Sequence, residues 1–190
     1  MPDWTVVIPV KGTGSAKSRL RASPELALAI ALDSVAAALE TANVIVVTSS
    51  SIASQFEALA ARVILDANAG LNSAVAQGIA AAGHGPVAVL LGDVPALRSA
   101  ELAAALELAA QHPLAFAADA DNEGTVLIAA RSSADHRPAF GLHSRAAHLA
   151  AGYVELDIPA DSGLRRDVDT PAQLAALGDR LGPRTRAARA

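Results

Sequence analysis

The stretch that decides the fold is Val6-Val7-Ile8-Pro9-Val10-Lys11-Gly12-Thr13-Gly14-Ser15-Ala16-Lys17-Ser18-Arg19-Leu20. It starts as a short apolar run, which indicates a buried strand, and continues as a loop that contains two glycines. The loop carries three cations, Lys11, Lys17 and Arg19. A strand that leads into such a loop ahead of a helix is where α/β proteins bind phosphates.

This basic loop fits neither of the two standard phosphate-binding patterns. A Walker A motif that ends at Lys17-Ser18 would need glycine at positions 11 and 16, and a dinucleotide fingerprint that starts at Gly12 would need glycine at position 17. We therefore expect side-chain charge, more than backbone N–H groups, to hold a phosphate here. A solvated basic loop without a ligand explains these residues alone equally well.

The composition limits the function classes. The chain has 190 residues, which suits one domain with a sizeable core, and a net charge of -4, which disfavours general nucleic-acid binding. Because the chain has no cysteine, disulfides and thiolate chemistry are excluded, and a reducing cytoplasm is the expected compartment. The chain shows no signal-peptide pattern and no apolar run near the ~20 residues of a membrane span, so we predict a cytoplasmic protein without a membrane partner.

Short β-branched runs alternate with Ala- and Leu-rich helical segments along most of the chain. This alternation predicts a single-domain, Rossmann-like α/β fold with a mixed, mainly parallel sheet and helices on both faces. Ser23 and Pro24 read as the cap and first residue of a helix. We assign residues 1–182 to one domain. Residues 183–190 carry three arginines and no apolar run, so we predict a loose C-terminal tail there.

Acidic residues follow two extended segments. The apolar run Pro86–Leu91 leads to Asp93, which would lie at the carboxyl end of a buried strand, where open α/β sheets bind ligands. Further on, the alternation of an extended segment puts Asp167 and Asp169 on one side of the chain, roughly 7 Å apart. The next two residues, Thr170-Pro171, read as a helix start, which accounts for them but not for Asp167.

Three carboxylates at one sheet edge would need a counter-cation. At ~7 Å and an effective dielectric of ~20, each pair repels by roughly 2 kcal/mol. Oxygen ligands favour Mg²⁺ or Mn²⁺ over zinc, and we expect most of the five histidines to be solvated. A metal held by carboxylates opposite a Lys/Arg loop is the layout of nucleotidyl transfer.

Asn72 opens another predicted helix, in Leu71-Asn72-Ser73, and has two interpretations. The favoured one is an ordinary N-cap. The other is a contact with a nucleotide, because this loop would lie at the same sheet edge as the basic loop.

Four stretches together resemble a known family. They are Ile8-Pro9-Val10-Lys11 with Ala16-Lys17-Ser18-Arg19-Leu20, Leu91-Gly92-Asp93-Val94-Pro95-Ala96-Leu97, Phe140-Gly141 with Ser144, and Asp167-Val168-Asp169-Thr170-Pro171. The chain resembles the 2-phospho-L-lactate/phosphoenolpyruvate guanylyltransferases of coenzyme F-420 biosynthesis. The resemblance implies a nucleotide-diphospho-sugar transferase (GT-A-like) fold, GTP as donor, phosphoenolpyruvate or 2-phospho-L-lactate as acceptor, and pyrophosphate as second product.

The resemblance also implies roles for single residues. The metal ligands, for two Mg²⁺ ions, would be Asp93, Asp167 and Asp169. The residues facing the triphosphate would be Lys11, Lys17 and Arg19, with Lys17, Arg19 and Asp93 as the catalytic set. The residues near the nucleoside would be Leu71 and Asn72. The acceptor contacts would be Thr125, Gly141 and Ser144.

Other functions of the same site stay open from the sequence. One is a different nucleotidyltransferase of this fold, of the molybdopterin or sugar-phosphate type, although those enzymes usually carry a Leu-x-Gly-Gly loop where this chain has Pro9-Val10-Lys11-Gly12. Another is a non-catalytic GTP-binding module, which would not need three carboxylates. As partners, the resemblance implies a downstream deazaflavin-coenzyme transferase and pairing into a homodimer, and it gives no role to nucleic acid.

Overall fold

The computed structural model describes residues 3–11 and 23–189, and within these ranges seven strands form one sheet. The strands are β1 (Thr5–Pro9), β2 (Asn43–Thr48), β3 (Arg62–Leu65), β4 (Val87–Leu90), β5 (Leu114–Ala118), β6 (Thr125–Ala130) and β7 (Val154–Glu155). The α-helices are α1 (Pro24–Leu39), α2 (Ala53–Glu57), α3 (Leu71–Ala82), α4 (Ser99–Ala109), α5 (Ser144–Ala150), α6 (Pro171–Leu177) and α7 (Pro183–Arg189). None of these described helices is both long and apolar enough to cross a membrane.

The order of the strands across the sheet is β3-β2-β1-β4-β6-β5-β7. Strands β1 to β4 pair in parallel, β6 runs antiparallel to both β4 and β5, and β7 is parallel to β5. The predicted mixed, mainly parallel sheet with helices on both faces is therefore confirmed. The order reverses between β1 and β4, and the crevice beyond the carboxyl ends of the strands at such a reversal is where open α/β sheets bind ligands.

The central strands are apolar on both faces because helices cover both sides of the sheet. In β1, Val6 and Ile8 belong to one hydrophobic cluster, whereas Val7 belongs to another. The first cluster includes Leu102 of α4, and the second includes Val75 of α3. A period-2 strand thus supplies two cores, as expected for a buried parallel strand.

Side-chain caps fix the beginnings of two helices where the sequence predicts them. The Ser23 hydroxyl accepts a hydrogen bond from the Leu26 N–H at 3.2 Å, and Pro24 is the first residue of α1. The Thr170 hydroxyl accepts from the Gln173 N–H at 3.2 Å, and the Gln173 side chain accepts from the Thr170 N–H at 2.9 Å. This reciprocal pair is a capping box, and it sets the position of the residues just before α6.

The prediction of a loose tail is wrong for residues 183–189, which form α7. The cause is Asp33 of α1, whose carboxylate accepts hydrogen bonds from the N–H groups of Arg184 (3.2 Å) and Thr185 (2.8 Å). Its Oδ1 also lies 3.5 Å from Arg184 Nη1. The carboxylate thus caps a helix that is 151 residues further along the chain.

Candidate functional site

The crevice at the reversal of strand order brings together two of the predicted site segments. Lys11 follows β1 and is exposed, and Asp93 follows the adjacent strand β4. Between them the chains are close, because a Cβ at Gly92 would lie only 3.1 Å from Val10 Cγ2 and 3.2 Å from Ile8 Cγ2. Even a Cβ at position 92 would therefore require these side chains to move by a few tenths of an ångström.

A cavity of about 310 Å³ opens at the same sheet edge, on the β2 side of β1. Its walls include Lys11, Asp66, Asn68 and Leu71. The structure therefore brings Lys11 next to Leu71, two residues that the family resemblance assigns to the nucleotide. Lys17 and Arg19 lie outside the described residues, so their positions stay predictions.

The segment Asp167-Val168-Asp169 lies against Asp93 through the backbone. The Val168 N–H donates to the Asp93 carbonyl at 3.0 Å, although 75 positions separate the two residues along the chain. Val168 is fully buried, Asp167 is half-buried and Asp169 is exposed, as the alternating pattern predicts. The backbones that carry the three predicted carboxylates are therefore neighbours.

These carboxylates have suitable chemistry for binding a metal ion, but they do not form a preorganised metal site. Within residues 3–11 and 23–189, no three His, Cys, Asp or Glu side chains are grouped to hold a metal ion. The donors are hard carboxylate oxygens, which Mg²⁺ prefers, and they come from two adjacent backbone segments. Such a donor set suits an ion that completes its coordination with waters and substrate phosphates.

Asn72 is not the N-cap of α3, because the cap is Gly70 and Asn72 is the second residue of the helix. Its side-chain amide instead bonds the backbone of Phe140 twice. Asn72 Nδ2 donates to the Phe140 carbonyl, and Asn72 Oδ1 accepts from the Phe140 N–H, each at 3.0 Å. The amide therefore joins α3 to the loop that precedes Gly141.

The three predicted acceptor contacts lie on elements that meet at one end of the sheet. Thr125 is the first residue of β6 and pairs with Ala118, the last residue of β5. Gly141 has φ +140°, a conformation that suits glycine, and its carbonyl accepts from the Ser144 N–H at 3.2 Å. Thr125 and Ser144 are each 3 % exposed as whole residues.

A buried histidine, which the sequence analysis missed, links these elements. His148 on α5 is fully buried, and its Nδ1 lies 2.9 Å from Thr125 Oγ1. Its Nε2 accepts a hydrogen bond from the Ala139 N–H at 3.0 Å. The i, i+4 spacing of Ser144 and His148, both buried on one face of α5, is the sequence signal that could have revealed this histidine.

The aromatic surroundings of His148 explain why its ring is neutral. Phe140 and Tyr153 pack edge-on against the imidazole, with ring centroids 5.2 and 5.3 Å away. Burial among these rings lowers the pKa of His148 to about 4, against a smaller opposing effect of the Ser144 backbone. The ring is therefore neutral at pH 7. His136 is the second buried histidine among the five, and burial lowers its pKa as well.

Comparisons with known proteins agree on one family. The family model described as "Guanylyl transferase CofC like" matches residues 4–153. A phosphoenolpyruvate guanylyltransferase of Streptomyces avermitilis is 47 % identical, over 98 % of this chain and 94 % of the relative. One from Salinispora arenicola is 50 % identical, over 96 % of this chain and 91 % of the relative.

Solved structures show the same fold at low sequence identity. A nucleotidyl transferase of Methanothermobacter superposes with a TM-score of 0.63 at 18 % identity, over 93 % of this chain and 96 % of that one. The 4-diphosphocytidyl-2C-methyl-D-erythritol synthase of Anaerococcus prevotii superposes with a TM-score of 0.58 at 10 % identity, over 89 % and 91 %. The chain therefore shares the fold of these two structures.

Proposed function

The chain belongs to the family of CofC-like guanylyl transferases, and from this premise we propose that it transfers GMP from GTP to the phosphate of phosphoenolpyruvate. An oxygen of the acceptor phosphate attacks the α-phosphorus of GTP, and the bond from that phosphorus to the α–β bridging oxygen breaks. The products are enolpyruvoyl-diphospho-5'-guanosine and pyrophosphate. No protein nucleophile is needed, because the acceptor oxygen is already ionised at pH 7.

The donor side of the reaction is assigned to the crevice between β1 and β4. Lys11 binds the triphosphate, together with Lys17 and Arg19 of the basic loop, and these cations stabilise the charge of the departing pyrophosphate. Leu71 contacts the nucleoside, which is supported by the cavity that it shares with Lys11. Asn72 acts here indirectly, because Phe140 occupies both ends of its amide.

Asp93, Asp167 and Asp169 are the residues that would hold Mg²⁺, with two ions as the expected number. When bound, Mg²⁺ would neutralise phosphate charge and orient the reacting oxygens. The observation that carries this assignment, and the proposed function with it, is the hydrogen bond from the Val168 N–H to the Asp93 carbonyl at 3.0 Å. It joins two acidic segments beside the strand that leads into the basic loop.

The acceptor is assigned to the other side of β4, beside Thr125, Gly141 and Ser144. A hydroxyl and a backbone N–H are suitable donors for the carboxylate and phosphate of a small phosphorylated acid. The names of the relatives favour phosphoenolpyruvate over 2-phospho-L-lactate. We further propose a cytoplasmic enzyme, paired as a homodimer, whose product passes to a downstream deazaflavin-coenzyme transferase.

The test is a measurement of pyrophosphate release. Each of GTP, ATP, CTP and UTP is combined with phosphoenolpyruvate, 2-phospho-L-lactate or 3-phosphoglycerate, with and without Mg²⁺. We expect release with GTP and phosphoenolpyruvate that depends on Mg²⁺. Product from ATP but not from GTP would contradict the guanylyl assignment.

A variant of Asp93 tests the site within the same assay. Asp93→Asn keeps the size of the side chain but removes its charge, so we expect at least a ~100-fold loss of kcat with an unchanged thermal melting temperature. The control is Asp3→Asn, because Asp3 precedes β1 at the opposite edge of the sheet. Wild-type turnover of Asp93→Asn would refute the metal assignment.

A further inference from the structure

The hydrogen bonds of His148 determine which ring nitrogen carries the proton. The Ala139 N–H can only donate, so Nε2, which lies 3.0 Å from it, must present a lone pair. In a neutral imidazole the single proton is then on Nδ1. Nδ1 therefore donates to Thr125 Oγ1 across the 2.9 Å contact.

This arrangement has a consequence for the Thr125 hydroxyl. Oγ1 accepts from His148, so its own proton points elsewhere. Within residues 3–11 and 23–189, His148 Nδ1 is the one hydrogen-bond partner of this hydroxyl. Thr125 is also the first residue of β6, which begins where β4 ends, at the edge assigned to the substrates. A hydroxyl that accepts from His148 keeps its own proton available to donate, which is what an anionic ligand requires.

The same imidazole also fixes the backbone on the other side of the acceptor site. Its bond to Ala139 holds the chain one residue before Phe140, whose N–H and carbonyl are bound by Asn72. Gly141 follows directly. One buried ring thus sets both a side-chain donor and the loop that faces it.

We propose that His148 is a positioning residue for the acceptor. By accepting from Ala139 at Nε2 and donating from Nδ1 to Thr125, it directs the Thr125 hydroxyl proton toward an anionic oxygen of phosphoenolpyruvate. This inference deepens the proposed function and rests on the contact proposed there between Thr125 and the acceptor. His148 itself does not touch the substrate and transfers no proton.

The first experiment determines the tautomer of His148 in the wild-type protein by ¹⁵N NMR of the histidine rings. We expect a protonated Nδ1 and an unprotonated Nε2, both without ligand and with phosphoenolpyruvate. A protonated Nε2 would overturn the proposal. This measurement needs no turnover, so it stays decisive even where the transfer reaction itself is in question.

The second experiment is a double-mutant cycle on the KM for phosphoenolpyruvate. Thr125→Val and His148→Gln should each raise it by about 10-fold or more, since each removes or misdirects a hydrogen bond to a charged group. The KM for GTP should stay unchanged. The double variant should raise the KM for phosphoenolpyruvate by less than the product of the two single effects, because part of what the ring does for the acceptor passes through the Thr125 hydroxyl. Additive effects, or an equal rise of both KM values, would overturn the proposal.

Two matched variants separate positioning from plain structural support. His148→Asn puts an amide near the place of Nδ1 and can still donate to Thr125, so it should raise the acceptor KM less than His148→Gln does. His136→Gln alters the other buried histidine, which bonds Tyr153 and the Val87 carbonyl at the opposite edge of the sheet. It should lower stability and leave the acceptor KM unchanged.

The outcomes distinguish failure of the inference from failure of the proposed function. A wild-type enzyme that transfers no guanylyl group to any acceptor refutes the function. An active wild type whose acceptor KM is unaffected by Thr125→Val refutes the inference alone. If His148→Gln fails to fold, Thr125→Val, which leaves the imidazole in place, and the wild-type tautomer still decide.

Discussion

The two buried histidines form hydrogen bonds that suit a neutral ring. His148 accepts at Nε2 from the Ala139 N–H. The Val87 carbonyl can only accept, so Nε2 of His136, which lies 3.0 Å from it, donates to it. In the neutral ring Nδ1 then carries no proton and accepts from the Tyr153 hydroxyl. Burial is the largest cause that lowers the pKa of each ring, to about 4 for His148. Protonation of either ring would turn an accepting nitrogen into a second donor.

The free energy of unfolding should therefore depend on pH. Between pH 6.5 and about 4 the unfolded chain protonates these rings while folded His148 stays neutral, so the unfolded state binds more protons. The contribution of these rings to the free energy of unfolding should be full above pH 6.5 and should decline as the pH falls toward 4. Urea denaturation at half-unit pH steps measures it.

Variants assign that pH dependence to the rings. His148→Gln and His136→Gln should each lower stability at pH 7 and flatten the curve between pH 6.5 and 4. Replacement of the exposed His84, as His84→Gln, should leave the curve unchanged. A wild-type curve that is flat over this window would contradict the neutral rings.

At the residue level, the sequence predicts where the carboxylates of the candidate site lie better than it predicts the side chains that support the site. Asp93 and the Asp167/Asp169 pair follow from local rules, because carboxylates at strand ends and in alternating segments have recognisable surroundings. The partners of Asn72 and His148 do not follow from local rules. Asn72 is 68 positions from Phe140, and Thr125 is 23 positions from His148, and no periodicity encodes such pairings.

Among the elements, α7 shows how a helix can form without its own hydrophobic pattern. Its seven residues are too few for a stable isolated helix, and its composition is that of a polar tail. Asp33 stabilises it from α1 by accepting from two of its first N–H groups. A Cβ at Gly182, just before α7, would lie 2.4 Å from the carboxyl carbon of Asp33, so only glycine allows this approach. The local sequence does not predict this helix, because a side chain distant along the chain supplies its cap.

Asp33→Ala should destabilise the protein by about 2–3 kcal/mol, because it leaves buried N–H groups of α7 without an acceptor. Asp33→Asn keeps one oxygen and should cost less. Both should show faster hydrogen exchange confined to α7 and the adjoining turn of α1. Denaturation with urea and amide exchange by mass spectrometry measure the two effects.

A control for Asp33 is available on the surface of α4. Glu107 is exposed, and Glu107→Ala should change stability by less than ~0.5 kcal/mol. Equal effects of Asp33→Ala and Glu107→Ala would mean that α7 does not depend on the cap. A wild-type rate of pyrophosphate release by Asp33→Asn would show that this end of the molecule supports the fold and not the reaction.

For the whole molecule, the topology explains why the proposed donor and acceptor sites are adjacent but separate. The parallel strands β1 to β3 supply the cavity of Lys11 and Leu71, whereas antiparallel β6 brings its first residue, Thr125, to the same edge beyond β4. The alternation of elements predicts this edge, and the reversed direction of β6 does not show in its sequence. A six-residue apolar strand reads the same in either direction.

The side chain of Asn72 connects the two halves of that edge. It lies beside Leu71 at the start of α3, on the proposed donor side, and its amide holds Phe140, next to Gly141 on the proposed acceptor side. A nucleotide that orders the start of α3 therefore also orders the acceptor loop. The two ligands should then bind cooperatively, and because coupling is reciprocal each should improve the affinity of the other by the same factor.

We expect a non-cleavable α,β-methylene analogue of GTP to lower the Kd of phosphoenolpyruvate by about 5-fold or more, and phosphoenolpyruvate to lower the Kd of the analogue equally. Asn72→Leu keeps the size of the side chain but breaks both bonds to Phe140, so the coupling factor should fall toward 1. Gln77→Ala, on the same helix but with a side chain that bonds Ser73 at 3.5 Å, should keep the wild-type factor. Isothermal titration of each ligand with and without the other measures all four Kd values. A coupling factor that survives Asn72→Leu would mean that the two sites communicate through the sheet edge itself, and a factor of 1 in the wild type would mean that they bind their ligands independently.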